Sequence, residues 1–113
     1  MTNREVLEAF FKAENERDWE AYQQFLHSEI SWQLFNKEEK KIVGIQDYIQ
    51  VIKNAYANID IRFSCLDMQI SGDGNRIVAY LTNDSGAHSL DIFDFKEGLI
   101  YKEYELFSID GLI

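Results

Sequence analysis

The second half of the chain consists of short segments in which apolar and polar residues alternate. This period of two is typical of β-strands with one buried face, and it occurs in four segments, 59–70, 76–82, 88–95 and 99–109. Short stretches rich in glycine, asparagine and aspartate connect the segments, and turns of this kind join antiparallel neighbours. The sequence therefore predicts an antiparallel meander with one face to bury against another layer.

The first half of the chain has the spacing of helices instead. Thr2 and Glu5 match the capping-box pattern that begins a helix. Asp18 is a candidate N-cap of a second helix, and Gly44 precedes a third stripe of apolar residues at helical spacing. Two short strands fall between the second and third helices, at 30–34 and 41–43. We therefore predict an α+β fold, in which three helices from the N-terminal half pack on one curved sheet.

The apolar positions change phase within the segment 59–70. Ile61 and Phe63 occupy one parity, whereas Leu66 and Met68 occupy the other. Because neighbouring side chains of a strand point to opposite faces, a regular strand would expose one of the two sets. A β-bulge near Cys65 resolves this conflict, and we predict one there.

Length and composition indicate a single folded domain that spans residues 1–113. Of the 113 residues, 46% are hydrophobic and 14% are aromatic, which supplies enough apolar surface for a core. The formal net charge is −9. Nucleic acids and anionic membranes both attract cationic surfaces, so we expect neither as a partner.

Cys65 is the single cysteine of the chain, so no internal disulfide can form. The first residues lead into an amphipathic helix rather than a signal peptide, and no apolar run approaches the length of a membrane span. These features predict a cytoplasmic protein. His27 and His88 are far apart and lack the spacing of metal ligands, and no glycine-rich phosphate loop follows a strand. We therefore expect no metal and no cofactor.

Three stretches of the sequence resemble the nuclear transport factor 2-like superfamily, in particular its SnoaL-like and ketosteroid-isomerase-like members. They are FFKAENERDWEAYQQFLHSEISWQL, VGIQDYIQVI and LDIFDFKEGLIYKEYELFSID. The first is similar to the family's opening helices, where Ala13, Asn15 and Asp18 match an alanine, an asparagine and an aspartate. The second resembles its glycine-initiated third helix, and the third resembles its last hairpin. The resemblance implies a cone, in which a curved antiparallel or mixed sheet and three helices enclose an apolar cavity.

The residues at the matching positions argue against the chemistry of a ketosteroid isomerase. That mechanism needs a carboxylate base and neutral hydrogen-bond donors. The position of the base falls on Leu34, or on Gln33 with a shift of one residue, and neither accepts a proton at neutral pH. The donor tyrosines fall on Phe10 and near Ile52, which have no hydroxyl group. The family's aspartic-acid donor does have a counterpart, Asp91.

Carboxylates on the last two strands offer another route, since the SnoaL-like cyclases place an acid–base carboxylate there. If the loop 96–98 has three residues, Phe95 lies opposite Leu99, and Asp91 lies opposite Glu103. Two neighbouring carboxyls in an apolar cavity would raise each other's pKa, as general acids and bases require. Asp91 and Glu103 are therefore the candidate catalytic residues. The alternative is that this face lies in solvent and that the opposite face is core; the opposite face contains Leu90, Ile92, Tyr104 and Leu106.

The cavity of such a cone suits a small hydrophobic ligand with one or two polar groups. The candidate ligand-binding residues are Trp32, Leu34, Tyr48, Ile52, Tyr56, Phe63, Tyr80, His88, Phe93 and Glu105. For an enzyme, we expect proton transfer on a small hydrophobic carbonyl compound, with Tyr80 or Trp32 positioning the substrate. The alternative is a non-catalytic ligand-binding or dimerisation module. The resemblance also implies a homodimer that forms through the outer face of the sheet.

Overall fold

Helices and strands follow one another in the predicted order. The structure is a computed structural model that describes residues 1–36 and 38–107. The helices are α1 (Asn3–Glu16), α2 (Trp19–Gln24) and α3 (Ile45–Ala55). The strands are β1 (Leu26–Phe35), β2 (Glu39–Val43), β3 (Phe63–Ile70), β4 (Arg76–Asn83), β5 (His88–Lys96) and β6 (Leu99–Phe107). No described helix is both long and apolar enough to cross a membrane. Residues 108 and 109 of the last predicted strand lie outside the described residues.

The six strands form one mixed sheet in the order β2-β1-β6-β5-β4-β3. Strands β3 to β6 are antiparallel neighbours, which confirms the predicted meander. The early strand β1 is inserted beside β6 and runs parallel to it, so the first and last strands are neighbours in the middle of the sheet. The predicted α+β fold, with three helices packed on a curved mixed sheet, is confirmed.

Local sequence signals define the helix starts. The Thr2 hydroxyl accepts a hydrogen bond from the amide of Glu5, while the Glu5 carboxylate accepts one from the amide of Thr2. The Asp18 carboxylate caps α2 by accepting from the amide of Ala21 at 3.2 Å. Gly44 precedes α3 with a φ of 93°, a conformation that is open to glycine and costly for other residues. The three predicted helix starts are therefore confirmed.

Aromatic rings from the three helices pack between the helices and the inner face of the sheet. The ring of Phe10 on α1 stacks on Tyr22 of α2 at 4.1 Å and meets Phe93 of β5 edge-on at 6.2 Å. The ring of Tyr48 on α3 lies 4.8 Å from that of Trp32 on β1. All five side chains are buried. Each contributes about 1.5–3 kcal/mol to folding by leaving water.

Side chains from the end of α1 determine where β3 begins. The Asn15 side chain pairs with both backbone groups of Phe63, donating to its carbonyl at 2.9 Å and accepting from its amide at 3.0 Å. The Arg17 guanidinium donates to the carbonyls of Ile59 and Ile61 at 2.9 and 2.7 Å. The alternation from residue 59 predicted a strand there, but these carbonyls bond to Arg17 and the strand starts at Phe63.

The predicted bulge in β3 is confirmed. Cys65 lies opposite Leu81, whereas Asp67 lies opposite Tyr80, the preceding residue of β4. Leu66 is the extra residue between the two pairs, and its side chain is exposed. A phase change in the apolar pattern was therefore a sufficient signal for the bulge.

The loop between β5 and β6 is shorter than predicted. It has two residues, Glu97 and Gly98, both with positive φ (56° and 75°), and Lys96 lies opposite Leu99. Two consecutive residues with positive φ form the turn that matches the twist of a tight hairpin. The prediction of a three-residue loop was wrong, because Glu97 and Gly98 both adopt left-handed conformations and complete the turn by themselves.

The predicted pairing of Asp91 with Glu103 was wrong for the same reason. A further register shift near the loop adds to the effect of the shorter turn, so Asp91 lies opposite Glu105 and Glu103 lies opposite Phe93. The two shifts together amount to two residues. Because side chains alternate with a period of two, the three carboxylates remain on the same face of the sheet.

Candidate functional site

A cavity of about 360 Å³ lies between the inner face of the sheet and the helices. Much of its wall is aromatic or aliphatic, including Phe10, Phe11, Trp32, Ile52, Phe63 and Phe93. Four acidic side chains also line it, namely Glu14, Asp91, Glu103 and Glu105. The basic members of the lining, Arg62 and His88, are exposed residues. The buried part of the cavity therefore combines apolar walls with acidic groups.

One row of paired residues across the sheet joins Leu34, Glu105 and Asp91. Leu34 on β1 lies beside Glu105 on β6, and Glu105 lies beside Asp91 on β5. The resemblance placed the family's carboxylate base at Leu34. In this chain, a carboxylate therefore stands one strand away from that position, on β6.

The neighbouring row joins Trp32, Glu103 and Phe93. The Trp32 indole N–H donates to Glu105 Oε1 at 3.1 Å, and the Tyr48 hydroxyl lies within hydrogen-bond distance of Glu103 Oε1. These two partners come from β1 and α3. Each holds one carboxyl of β6 in a fixed orientation.

Asp91, Glu103 and Glu105 form a compact cluster, in which one carboxyl oxygen from each lies within 4.8 Å of the others. Asp91 is 3% exposed and Glu103 is 5% exposed. Asp91 Oδ1 is buried and has no hydrogen-bond partner among the described residues. A buried carboxyl oxygen without a partner is costly, so this atom is available to a ligand.

The cluster favours protonated carboxyls. Burial raises the pKa of Asp91 well above its usual range, and the charges of Glu105 and Glu103 raise it further. Burial, followed by the charge of Glu105, likewise raises the pKa of Glu103. Burial and the charge of Glu14 raise the pKa of Glu105 to about 7, against the opposing effect of the Trp32 indole. At neutral pH, Glu105 is therefore close to half ionised, whereas the surroundings of Asp91 and Glu103 favour their protonated forms.

Glu14 was missed in the sequence. Its carboxylate accepts hydrogen bonds from the hydroxyls of Tyr22, at 3.2 Å, and Tyr56. Burial raises its pKa to about 6, although these two donors lower it. The signal was present, because Leu7, Phe10 and Glu14 follow one another at helical spacing on the buried stripe of α1. An acidic residue on such a stripe indicates either a buried partner or a site.

Most of the predicted site residues line the cavity. They are Trp32, Leu34, Ile52, Tyr56, Phe63, His88, Asp91, Phe93, Glu103 and Glu105. Tyr48 does not line it, but its buried hydroxyl contacts two residues that do, Glu103 and Tyr22. Tyr80 lies on the opposite face of β4 from the buried Ala79 and Leu81, so it cannot position a ligand in this cavity. Alternation along a strand separates its two faces but does not say which face is inner, and for Tyr80 the prediction was wrong.

Among the described residues, the carboxyl oxygens of these three side chains lie close enough together to hold a metal ion. Carboxylate oxygens suit hard cations such as Mg²⁺ and Ca²⁺. The raised pKa values of Asp91 and Glu103 favour neutral carboxyls, which attract a cation less than carboxylates do. The absence of a metal stays a prediction from the sequence.

A sequence model described as a SnoaL-like domain matches residues 7–103 of the chain. This match includes most of α1 and the cavity-lining residues up to Glu103, but not Glu105. No curated protein is similar enough to the chain to count as a match.

Solved structures share the fold at low sequence identity. A SnoaL-like protein of unknown function from Burkholderia thailandensis is 13% identical with a TM-score of 0.81, covering 95% of this chain and 94% of that one. A Mycobacterium tuberculosis protein in complex with estradiol-17beta-hemisuccinate is 13% identical with a TM-score of 0.78, covering 93% of each chain. SalBIII, an epoxide hydrolase/cyclase-like enzyme of pyran ring formation in salinomycin, is 14% identical with a TM-score of 0.77, covering 95% and 91%. At these identities the likeness establishes the fold alone.

Proposed function

Because this chain belongs to the SnoaL-like family, we propose that its cavity binds a small hydrophobic carbonyl compound and transfers a proton on it. The observation that carries the proposal is the cluster of Asp91, Glu103 and Glu105 in an otherwise aromatic cavity. Carboxyls whose pKa values are raised and separated by their surroundings supply an acid and a base at the same pH. The steroid ester and the cyclisation chemistry named for two structural neighbours support a hydrophobic ligand.

The arrangement assigns different roles to the carboxyls. Ionised Glu105 takes a proton from the carbon next to the ligand's carbonyl group, while protonated Asp91 donates to the carbonyl oxygen through its unpartnered side. The product is an enol. In a ketone with a β,γ double bond, protonated Glu105 returns its proton to the γ carbon while the enol O–H gives its proton back to Asp91, which completes an isomerisation. The Trp32 indole keeps Glu105 oriented during the step.

A deuterium-exchange screen tests this function. The protein is incubated in D₂O at pH 7 with a panel of small hydrophobic ketones, and NMR measures both binding and the loss of proton signal at the carbon next to the carbonyl. We expect one or more ketones to bind and to exchange faster than in protein-free buffer. Binding without exchange would favour the non-catalytic binding module, and failure of every ketone to bind would contradict the proposal.

The outer face of the sheet supports a homodimer. Six half-buried apolar or aromatic side chains cover its centre, namely Val78, Tyr80, Leu90, Ile92, Tyr104 and Leu106. These six side chains are uncharged, so two copies can meet there without the repulsion that a net charge of −9 imposes elsewhere. We therefore propose that this face of the sheet binds the same face of a second copy of the chain.

Sedimentation equilibrium tests the dimer. We expect a mass of twice 13.3 kDa for the wild type and a monomer for Ile92→Lys, which buries a charge at the centre of the interface. Ile70→Lys is the matched control, because Ile70 is 42% exposed and lies across from Ile77 on the inner side of the sheet. A monomeric wild type, or an Ile92→Lys variant that remains dimeric, would contradict this interface.

A further inference from the structure

Four polar side chains form a continuous hydrogen-bonded line through the core, from Glu14 on α1 to Glu103 on β6. The Tyr22 hydroxyl lies 3.2 Å from Glu14 Oε1 and 3.2 Å from the hydroxyl of Tyr48. The Tyr48 hydroxyl in turn contacts Glu103 Oε1. Tyr22 and Tyr48 are each 1% exposed, so the middle of the line is closed to water.

Counting protons shows that this line needs one more proton than its tyrosines supply. The line has three contacts, Glu14–Tyr22, Tyr22–Tyr48 and Tyr48–Glu103, and each requires one proton to be a hydrogen bond. The two hydroxyls provide two protons. If both glutamates were ionised, each hydroxyl would point at its own carboxylate, and the two buried tyrosine oxygens would face each other with no proton between them. One protonated glutamate completes all three hydrogen bonds.

We propose that the line Glu14–Tyr22–Tyr48–Glu103 carries one mobile proton between its two carboxyl groups. In one state Glu103 is protonated and donates to the Tyr48 hydroxyl. Tyr48 then donates to Tyr22, and Tyr22 donates to the Glu14 carboxylate. In the other state every bond is reversed, and Glu14 holds the proton. Passing between the states moves three protons by one position each and transfers the negative charge from Glu14 to Glu103. No co-reactant is needed.

The line would return a proton to the catalytic cluster, a role that rests on the proposed function. Glu103 belongs to the cluster with Asp91 and Glu105, whereas Glu14 lies on α1 and also lines the cavity. A proton that the cluster gives to a ligand can be replaced from protonated Glu103, and the line can then return to Glu103 a proton that Glu14 takes up at the cavity. Tyr22 and Tyr48 act through the glutamates, so they are positioning residues.

The charged and titratable groups around the two ends favour the proton at Glu103. Glu14 is close to the guanidinium of Arg17 and accepts a second hydrogen bond from Tyr56, and both stabilise its ionised form. Glu103 lies in the cluster with Asp91 and Glu105, and burial and the charges of Glu105 and Glu14 disfavour its ionised form. This agrees with a pKa of about 6 for Glu14 and a more strongly raised pKa for Glu103. The resting state at pH 7 is therefore protonated Glu103 and ionised Glu14.

Carbon-13 NMR of the glutamate carboxyls in the ligand-free protein tests the inference. In the wild type at pH 7, we expect the Glu103 carboxyl signal of an acid and the Glu14 signal of a carboxylate. The comparison uses Tyr22→Phe and Tyr56→Phe, which each remove one donor to Glu14. Only Tyr22→Phe also interrupts the line. We expect both variants to raise the pKa of Glu14, and Tyr22→Phe alone to lower that of Glu103 by about one pH unit, the equivalent of one hydrogen bond.

Two results would overturn the inference. One is a wild-type protein in which both glutamates are ionised at pH 7, and this result does not depend on the folding of any variant. The other is a pKa of Glu103 that responds equally to Tyr22→Phe and Tyr56→Phe, with amide NMR spectra showing both variants folded. Since no ligand is present, a failure of the ketone screen leaves these outcomes unaffected, and the two proposals fail separately.

Discussion

Raising the pH from 5 to 8 is expected to lower the free energy of unfolding by about 4 kcal/mol through Glu14 and Glu105 alone. The pKa values of Glu14 and Glu105 rise from 4.5 to about 6 and about 7 on folding. Between the unfolded and folded pKa values, the native state binds protons that the unfolded chain has already lost. Stability therefore falls as the pH rises, because deprotonation then favours the unfolded chain. Asp91 and Glu103, whose pKa values are raised by burial, act in the same direction.

The carboxyls with lowered pKa values act outside this range. Hydrogen bonds to Thr2 lower the pKa of Glu5, and hydrogen bonds to Asn75 and Ser71 lower that of Asp73. The stability that they contribute is present above their unfolded pKa values of 4.5 and 3.8 and is lost as the pH falls further. They therefore do not offset the loss between pH 5 and pH 8.

Urea unfolding followed by tryptophan fluorescence measures this pH dependence. Glu105→Gln should flatten the curve by about 3 kcal/mol, because a neutral amide replaces the group that titrates near pH 7. Glu29→Gln on β1 is the matched control, since Glu29 is exposed, and it should leave the curve unchanged. A free energy of unfolding that is constant or rises between pH 5 and pH 8 would show that the cluster is ionised in the folded protein.

Glu105→Gln is also expected to reduce proton transfer by about 10²- to 10⁴-fold, the usual contribution of a general base. The reason is that glutamine accepts no proton at neutral pH, while it preserves the size of the side chain beside Leu34 and Asp91. The measurement is the rate of deuterium exchange into the ketone that the wild type exchanges fastest. In the wild type this rate should rise with pH through about 7, as Glu105 ionises, and the rise should be absent from the variant.

Asp91→Asn separates the acid from the base. Because asparagine has no acidic proton, we expect this variant to lose exchange while it keeps Glu105 and the rise of any residual rate near pH 7. Glu29→Gln again serves as the control and should exchange at the wild-type rate. Wild-type exchange by Glu105→Gln would assign the base to another residue.

Local signals in the sequence were sufficient for the elements of the fold. Thr2 with Glu5, Asp18 and Gly44 each determine a helix start through interactions with neighbours a few residues away. The phase change around Cys65 identified the bulge because alternation is a property of a single strand. The early strand could not be placed in the same way. Its parallel pairing with β6 joins residues about 70 positions apart, and no local pattern records it.

The candidate site likewise combines features that are local in the sequence with features that only the tertiary structure creates. The sequence by itself determined that Glu103 and Glu105 share one face, because they lie two residues apart on one strand. Asp91 joins them only through the register of the hairpin, since the two-residue loop alone would turn it away and the second register shift restores it. The tertiary structure alone decided that this face is the inner one, that Tyr80 lies outside, and that Glu14 meets Tyr22. Those outcomes depend on which apolar face of the sheet the helices cover. The sequence does not record this choice, because the free energy of burial depends on the apolar area removed from water and not on the order of the residues. Proximity in space, not along the chain, therefore raises the pKa values on which the proposed chemistry depends.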